Sequence, residues 1–493
     1  MGRMGRETIH SGGNVLPVPV LFRAFLFLLL LSPALGGCAS RNMRETAQVS
    51  PDREQNQPAS PSQSDASDHP VSEIIWTDEG TGGLLGELPD EQRALIEEYI
   101  SRYYGALMTF EEPDFSDLFA SDAGVWRNLH EQAMAYLIGL RSMQRTDLRL
   151  AGYRSELALE ESAEDLENEA DLLRITLTET STQNFAEHPE VDSVLYGIRH
   201  TFDLVQENGR WLIKGHTQWD GIFWNMMREL GEDGLEERTD GEAYFAARRE
   251  TLLEEAREEM ELRLEDGSGQ DTLPPQGTER GEAREERSSA EAELMPYDGE
   301  AAASYGASFV GQRNADWWDY SRQGGNCQNF VSQCLYAGGI PMDVRGGAVW
   351  KWYGEAVNDL EEDRGCSASW INVDSFYQYV QENEGYGLAA GTDGSYWEGD
   401  VGDVILMGPA HDLNHSVLIS KVVQNAQGHT VDYLIHSNTS DVKDFPVSAY
   451  PNPRQVLVRI LGWRPSGESA RACYPVWLGV LEILMSFSGD FYF

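Results

Sequence analysis

Apolar residues recur at two different spacings in the segment that follows residue 80. After Pro89-Asp90, where proline favours the first turn of a helix, they recur at helical spacing as far as Leu107, and a second such stretch covers Val125 to Met143. Beyond it, apolar and polar residues alternate, and Asn208-Gly209 is typical of a hairpin turn. Helices followed by such a meander predict an α+β fold for residues 81–227.

The next segment, residues 228–293, changes in composition. The run from Glu254 to Arg263 is rich in glutamate and arginine, which favours an exposed helix with ion pairs between successive turns. Gly267 and Pro274-Pro275 then interrupt the pattern. We therefore expect an acidic helical linker and a domain boundary in this segment.

A short helix with a cysteine at its start is predicted further along the chain. Gly324-Gly325-Asn326 provides a sharp beginning, and Gly338-Gly339 ends it. The residues at helical spacing on its apolar face are Cys327, Phe330, Val331, Cys334 and Leu335. Cys327 lies in the first turn, at the positive end of the helix dipole, where a thiolate is favoured. Cys334 lies two turns deeper, where a packing role is expected.

A nucleophilic thiolate needs an imidazole as base and a polar group that orients the imidazole. Strand patterns follow at 402–407, 414–423 and 431–438. In the second strand, His415 alternates in phase with Val417 and Ile419, the set expected to face the cysteine helix. In the third strand, Asn438 is the candidate orienting residue, and His436, which shares its phase, is the alternative.

Several segments of this part of the chain resemble the putative amidase domain family, which is related to the NlpC and CHAP cysteine hydrolases of papain-like fold. The segments that carry the resemblance are 297–305, 326–339, 367–370, Gly402-Asp403, Asn414-His415 and 437–441. The resemblance covers about residues 295–463. It implies a papain-like domain, a cysteine helix on an antiparallel sheet, in which Cys327 attacks an amide carbonyl and His415 transfers the proton.

The same resemblance bears on two further positions, and a second resemblance concerns the preceding domain. Gln323 lies where papain-like enzymes place an oxyanion donor, and Asn326 stands where many family members have an aspartate. The run from Thr201 to His216 is similar to the last hairpin of cystatin-like cone folds. The papain-like domain would then follow a separate, smaller, cone-like α+β domain.

The N-terminus has the pattern of an export signal. Arginines precede an apolar run from Ala24 to Leu31, and the run ends at Leu35-Gly36-Gly37-Cys38, which resembles a bacterial lipobox. Cys38 would be the lipidated first residue of the mature protein. The polar residues that follow predict a flexible tether.

Charge and cysteine usage exclude several other kinds of protein. A formal net charge of −45 repels phosphate backbones, so no nucleic-acid partner is expected. Five scattered cysteines do not form a disulfide framework, and the ten histidines show no metal-ligand spacing. No metal and no cofactor is expected.

Together these patterns predict six segments and one main function. The segments are a signal peptide (1–37), a tether (38–80), the cystatin-like domain (81–227), the acidic linker (228–293), the amidase domain (294–463) and an apolar tail (464–493). We expect a bacterial cysteine amidase or endopeptidase, lipid-anchored at the outer face of the cytoplasmic membrane and acting on peptide amides, with peptidoglycan peptides as candidates. The alternatives are a catalytically silent peptide-binding module and an acyl-transferase that forms the same thioester.

Overall fold

Helices and strands come in long alternating blocks. The structure, a computed structural model, describes residues 71–77, 88–160, 164–165, 172–227, 235, 241–267, 294–344, 349–358, 361, 363–410 and 412–465. Its helices are α1 (Asp90–Thr109), α2 (Gly124–Ser142), α3 (Gly221–Met227), α4 (Gly241–Gly267), α5 (Gly299–Phe309), α6 (Cys327–Ala337), α7 (Ala368–Ile371) and α8 (Val373–Glu382).

The strands follow the same chain order. They are β1 (Ser72–Thr77), β2 (Leu150–Leu159), β3 (Glu164–Asp165), β4 (Leu172–Phe185), β5 (His188–Glu207), β6 (Arg210–Gln218), β7 (Trp352–Tyr353), β8 (Gly365–Cys366), β9 (Gly387–Gly391), β10 (Val404–Gly408), β11 (His415–Gln424), β12 (Thr430–Ser437), β13 (Asp441–Pro446) and β14 (Arg454–Arg464). The mixture of helices with a mostly antiparallel sheet confirms the predicted α+β class.

Twelve of the described strands form one sheet. Its order is β1-β2-β4-β5-β13-β12-β11-β10-β14-β9, with β3 on β4 and β6 on β5. All pairs are antiparallel except β1 with β2. The remaining pair, β7 with β8, lies apart. Strands from before residue 227 and after residue 294 therefore share a sheet.

The first helices and the hairpin lie where the sequence predicts them. Helix α1 begins at Asp90 directly after Pro89, and strands β5 and β6 are joined through Asn208 and Gly209, which both have positive φ. The positive φ at both positions explains why asparagine and glycine stand there. The pattern did not predict β1 or β2.

Helix α4 corrects one expectation about the linker. The glutamate- and arginine-rich run was expected to be exposed, but one side of the helix is buried through Phe245, Leu252, Ala256 and Met260. This side packs on α2, where Gly139 leaves room for Leu253. Exposed glutamates such as Glu250, Glu254 and Glu258 occupy the opposite side, so the helix covers the fold rather than spanning a gap.

Two hydrophobic clusters lie on the two faces of the sheet in its C-terminal half. One, which we call the N-terminal cluster, joins the helices and strands before residue 260 to β10–β12 and includes Val417, Ile419 and Tyr450. The other, the cysteine-helix cluster, contains Cys327, Trp370 and Leu418. Strands β10, β11 and β12 are thus covered on both faces.

The N-terminal and C-terminal segments meet along β5. Its first half pairs with β13, with Tyr196 opposite Asp441 and Leu195 opposite Val442. The described residues all belong to one compact unit. Whether residues 81–227 and 294–463 fold as domains of their own stays a prediction.

Some sequence predictions fall on other parts of the chain. The signal peptide, Cys38, residues 38–70 of the predicted tether and nearly all of the apolar tail lie outside the described residues. Within the range predicted as tether, residues 72–77 instead form strand β1, which pairs with β2. In the part of the chain that the structure describes, no helix is long and apolar enough to cross a membrane.

Candidate active site

The cysteine helix α6 begins as the sequence predicts. Gly324 and Gly325 have φ values of 103° and 118°, a region that glycine adopts without strain, and Cys327 is the first helical residue. Its side chain is buried, with 7% exposed. Residues 327–335 are all buried, so the helix lies inside the protein on every side except at its last two residues, which are exposed.

The polar side chains of this buried helix have specific partners. Asn329 donates to the carbonyl of Trp318 and accepts from the indole of Trp370. Ser332 donates to the carbonyl of Trp370 and accepts from the indole of Trp350. These bonds compensate the cost of burying polar groups and fix the rotation of the helix about its axis.

The Cys327 thiol lies against the start of β11. Burial raises the pKa of this thiol, while the N–H and hydroxyl of Ser416 and the N–H groups of Gln328 and Cys327 act in the opposite direction. Ser416 directly follows His415. The structure therefore brings the predicted nucleophile to the end of the strand that carries the predicted base.

The other two described cysteines have different surroundings. Cys334 is fully buried in the cysteine-helix cluster, and burial raises the pKa of its thiol. Burial also raises the pKa of Cys366, whose sulfur lies 3.3 Å from the Tyr320 hydroxyl. Both are inner residues, which matches the packing role expected for Cys334.

His415 is held through one ring nitrogen. Its Nε2 lies 3.1 Å from Oγ of Ser437 and 3.2 Å from the hydroxyl of Tyr450, and the Tyr450 ring stacks on the imidazole at 5.4 Å. Burial lowers the pKa of His415 to about 4. The imidazole is therefore neutral at pH 7 and can accept a proton.

The predicted face of β11 is wrong. Val417 and Ile419 pack in the N-terminal cluster, whereas Leu418 packs in the cysteine-helix cluster. His415 stands at the first position of the strand, and its stacking partner Tyr450 belongs to the N-terminal cluster while also interacting electrostatically with Cys327. The error arises because both faces of this strand are buried. Apolar residues therefore point to both sides, and their spacing does not show which side faces the cysteine helix.

The two candidate orienting residues, His436 in β12 and Asn438 directly after it, have other partners. Asn438 accepts from the side-chain amide of Asn326 at 3.0 Å and donates to the carbonyl of Phe309. His436 accepts the N–H of Asp444 at Nδ1 and lies beside Gly306 of α5. The hydrogen bonds to His415 come instead from Ser437, between them in sequence, and from Tyr450.

Gln323 lies in a short 3-10 turn, Ser321–Gln323, ahead of the cysteine helix. Its side chain is exposed, and its N–H donates to the carbonyl of Tyr320.

The aromatic residues near the cysteine helix differ in their exposure. Trp350 and Tyr320 are buried, whereas Trp318 and Tyr353 are 46% and 49% exposed. Trp317 is half-buried.

The segment before residue 227 contains a buried polar network that the sequence reasoning missed. His130 bonds to the hydroxyl of Tyr99, and His200 links His216 to Glu179 at 3.1 and 3.0 Å. The three imidazoles and the carboxylate are each at most 1% exposed. No two of these residues are close in sequence, so only the fold brings them together.

In the described part of the chain, no group of three or more histidine, cysteine, aspartate or glutamate residues could hold a metal ion.

Comparisons with known proteins match the part of the chain that contains this site. Residues 296–460 match the family described as "Putative amidase domain". The chain is 33% identical over 143 residues to an uncharacterised protein, YhbB, of Bacillus subtilis (strain 168), and the match covers 28% of this chain and 41% of that protein. No solved structure matches the chain. The family match indicates an amidase-like function, a hydrolase acting on amide bonds, for residues 296–460.

Proposed function

We propose that the chain is a cysteine amidase in which Cys327 is the nucleophile and His415 the general base. The observation that supports this most directly is the position of the Cys327 thiol, at the start of a helix and against Ser416, the residue next to His415. In this proposal Nε2 of His415 is held by Ser437 and Tyr450, and Nδ1 is left to take the thiol proton.

The reaction then follows the chemistry of a thiol–imidazole pair. His415 takes the thiol proton as the sulfur of Cys327 attacks the amide carbonyl carbon. The C–N bond breaks, the amine leaves with that proton, and an acyl thioester remains. Water, deprotonated by the same imidazole, attacks the thioester; the acid is released and the thiol regains its proton.

Both groups are neutral in the resting site. Burial raises the pKa of Cys327 and lowers that of His415, so charge separates only when the substrate is attacked. The backbone N–H of Cys327, at the positive end of α6, and the Gln323 side chain are the proposed donors to the developing oxyanion. The Ser437 and Tyr450 hydroxyls orient the imidazole. Asn438 acts indirectly, through its hydrogen bond to Asn326, the residue that precedes Cys327.

The substrate and the location are proposed from the sequence. Cys38, at the end of the apolar run, would carry the lipid and hold the protein at the outer face of the cytoplasmic membrane. An amidase anchored there meets the peptides of peptidoglycan first. No nucleic-acid partner is proposed, because the net charge of −45 opposes one.

Two measurements test the proposal. Purified wild-type protein is incubated with defined muropeptides and the products are read by mass; cleavage that is absent in Cys327→Ala and retained in Cys334→Ala supports it. Labelling by iodoacetamide, followed by peptide mapping, should be faster at Cys327 than at Cys334 or Cys366. Muropeptide binding without cleavage would favour the silent binding module, and amine-dependent product masses would favour the acyl-transferase.

A further inference from the structure

The turn between β12 and β13 has an unfavourable backbone conformation. Thr439 and Ser440 have φ values of 66° and 54°, in the left-handed region that residues other than glycine seldom adopt. A β-branched threonine is especially disfavoured there. Such a conformation persists only where the surroundings hold it, and it is frequent at functional sites.

The side chains of this turn reach both parts of the candidate site. Ser437 contacts Nε2 of His415, as described above. Asn438 accepts from the side chain of Asn326, and Thr439 accepts from the Asn326 backbone N–H at 2.7 Å. Asn326 directly precedes Cys327. One turn therefore sets the imidazole on one side and the loop that carries the thiol on the other.

Asp441 holds the turn from its far end. Its carboxylate accepts from the Thr439 N–H at 2.9 Å and from both terminal nitrogens of Arg313, at 2.8 and 3.1 Å. The Asp441 side chain is 15% exposed and that of Arg313 is 27% exposed. A two-point contact between a carboxylate and a guanidinium is both directional and strong when it is shielded from water.

Strand β5 of the N-terminal segment also contacts the residues that form or flank the Arg313–Asp441 pair. Tyr196 of β5 pairs with Asp441, and its ring packs on Gly311, two residues before Arg313. A Cβ atom at Gly311 would lie 2.9 Å from Cγ of Tyr196, and Gly311 has a φ of 73°, so glycine is required there. Strand β5 thus fixes both partners of the Arg313–Asp441 pair.

We propose that Asp441 is a positioning residue of the amidase site: with Arg313 and β5 it locks the turn from Ser437 to Ser440, which aligns His415 with Cys327. The N-terminal segment is then part of the catalytic apparatus rather than a separate module. This inference rests on the proposed function, since it concerns the alignment of the same two residues.

The test compares Asp441→Ala, Asp441→Asn and a matched control in the full chain. Asp203→Ala is the control, because Asp203 forms a similar two-point contact with Arg174, at 2.7 and 2.8 Å, in the N-terminal segment. The measurements are kcat and KM for the cleaved muropeptide and the pH dependence of iodoacetamide alkylation at Cys327. Asp441→Ala should lower kcat by about 10- to 100-fold with a smaller effect on KM, as misplacement of reacting groups does.

The conservative variant separates positioning from folding. Asp441→Asn keeps an acceptor for the Thr439 N–H and should have an intermediate kcat, with a changed alkylation profile in both variants and a wild-type profile in Asp203→Ala. A wild-type kcat and alkylation profile in folded Asp441→Ala, or in Asp441→Asn if the alanine variant does not fold, overturns the positioning role. Undiminished cleavage by Cys327→Ala would instead overturn the proposed function.

Discussion

The hydroxyl oxygen of Ser437 lies 3.1 Å from Nε2 of His415, on the strand next to the one that begins with this histidine. Together with the Tyr450 hydroxyl, it occupies one of the two ring nitrogens of His415. A hydroxyl can both donate and accept a hydrogen bond. The two hydroxyls therefore stabilise one orientation of the neutral imidazole, and they can accept a hydrogen bond from Nε2 when the ring is protonated.

Removal of either hydroxyl should impair catalysis. Tyr450→Phe and Ser437→Ala are each expected to lower kcat by roughly 10-fold, because the ring loses part of its orientation. The measurement is steady-state cleavage of the muropeptide. Tyr396→Phe is the matched control: its buried hydroxyl bonds to Gln455, away from the site, and kcat should not change. Equal activity of all three variants would exclude an orienting role for these hydroxyls.

The pH dependence of cleavage should reflect the burial of His415. The imidazole must be neutral to accept the thiol proton, and burial lowers its pKa from the ordinary 6.5 to about 4. We therefore expect kcat/KM to persist as the pH falls through 6.5 and to decline only as it approaches 4. A decline centred near 6.5 would show that the base is a solvated histidine and would contradict this assignment.

The two cysteines of α6 should respond differently to substitution. Cys327→Ala should abolish cleavage with little loss of stability, because the lost group acts in the reaction. Cys334→Ala should remain active but lose about 1 kcal/mol of unfolding free energy, measured by urea titration, because a small buried side chain is removed. Loss of cleavage in a well-folded Cys334→Ala would point to a different nucleophile.

The buried histidines of the N-terminal segment should make the protein sensitive to acid. Burial lowers the pKa of His130 from 6.5 to about 3 and that of His216 well below its ordinary value. Below about pH 6.5 these histidines are protonated in the unfolded chain but stay neutral in the folded protein. The unfolded chain therefore binds more protons, and the free energy of unfolding decreases as the pH falls below 6.5.

Urea titrations at several pH values between 7 and 4, a range chosen to lie below the ordinary histidine pKa, check this. His130→Gln should reduce the dependence by up to about 1.4 kcal/mol per pH unit. An unaltered slope in His130→Gln would mean that this histidine is not responsible.

Lipid attachment at Cys38 is tested in a bacterial host. Metabolic labelling with a fatty acid should mark the wild-type protein, and the label should disappear in Cys38→Ala. Cys366→Ala, which leaves the N-terminal pattern intact, should be labelled like wild type. Label that persists in Cys38→Ala would contradict the anchoring proposal.

Several elements could be predicted because they depend on short segments of chain. Pro89 before α1, Asn208-Gly209 between β5 and β6 and the glycines before Cys327 restrict the local backbone, and the structure has a helix start, a hairpin and a helix start at these positions. Strands β10, β11 and β12 also follow from their runs of apolar residues, whereas β9, β13 and β14 were not predicted. Helix α4 was predicted as a helix, but its buried side depends on α2, more than a hundred residues earlier.

The sequence by itself therefore determined that Cys327 opens a helix and that His415 begins a strand, since both follow from local backbone preferences. Only the tertiary structure decided that Ser437 and Tyr450, rather than Asn438 or His436, bond to the imidazole. The physical reason is that β11 and β12 are buried on both faces, so no alternation of polar and apolar residues identifies the side that each residue faces. That choice depends on the strand register and on the packing of the N-terminal segment against the sheet, both of which involve residues far apart in the chain.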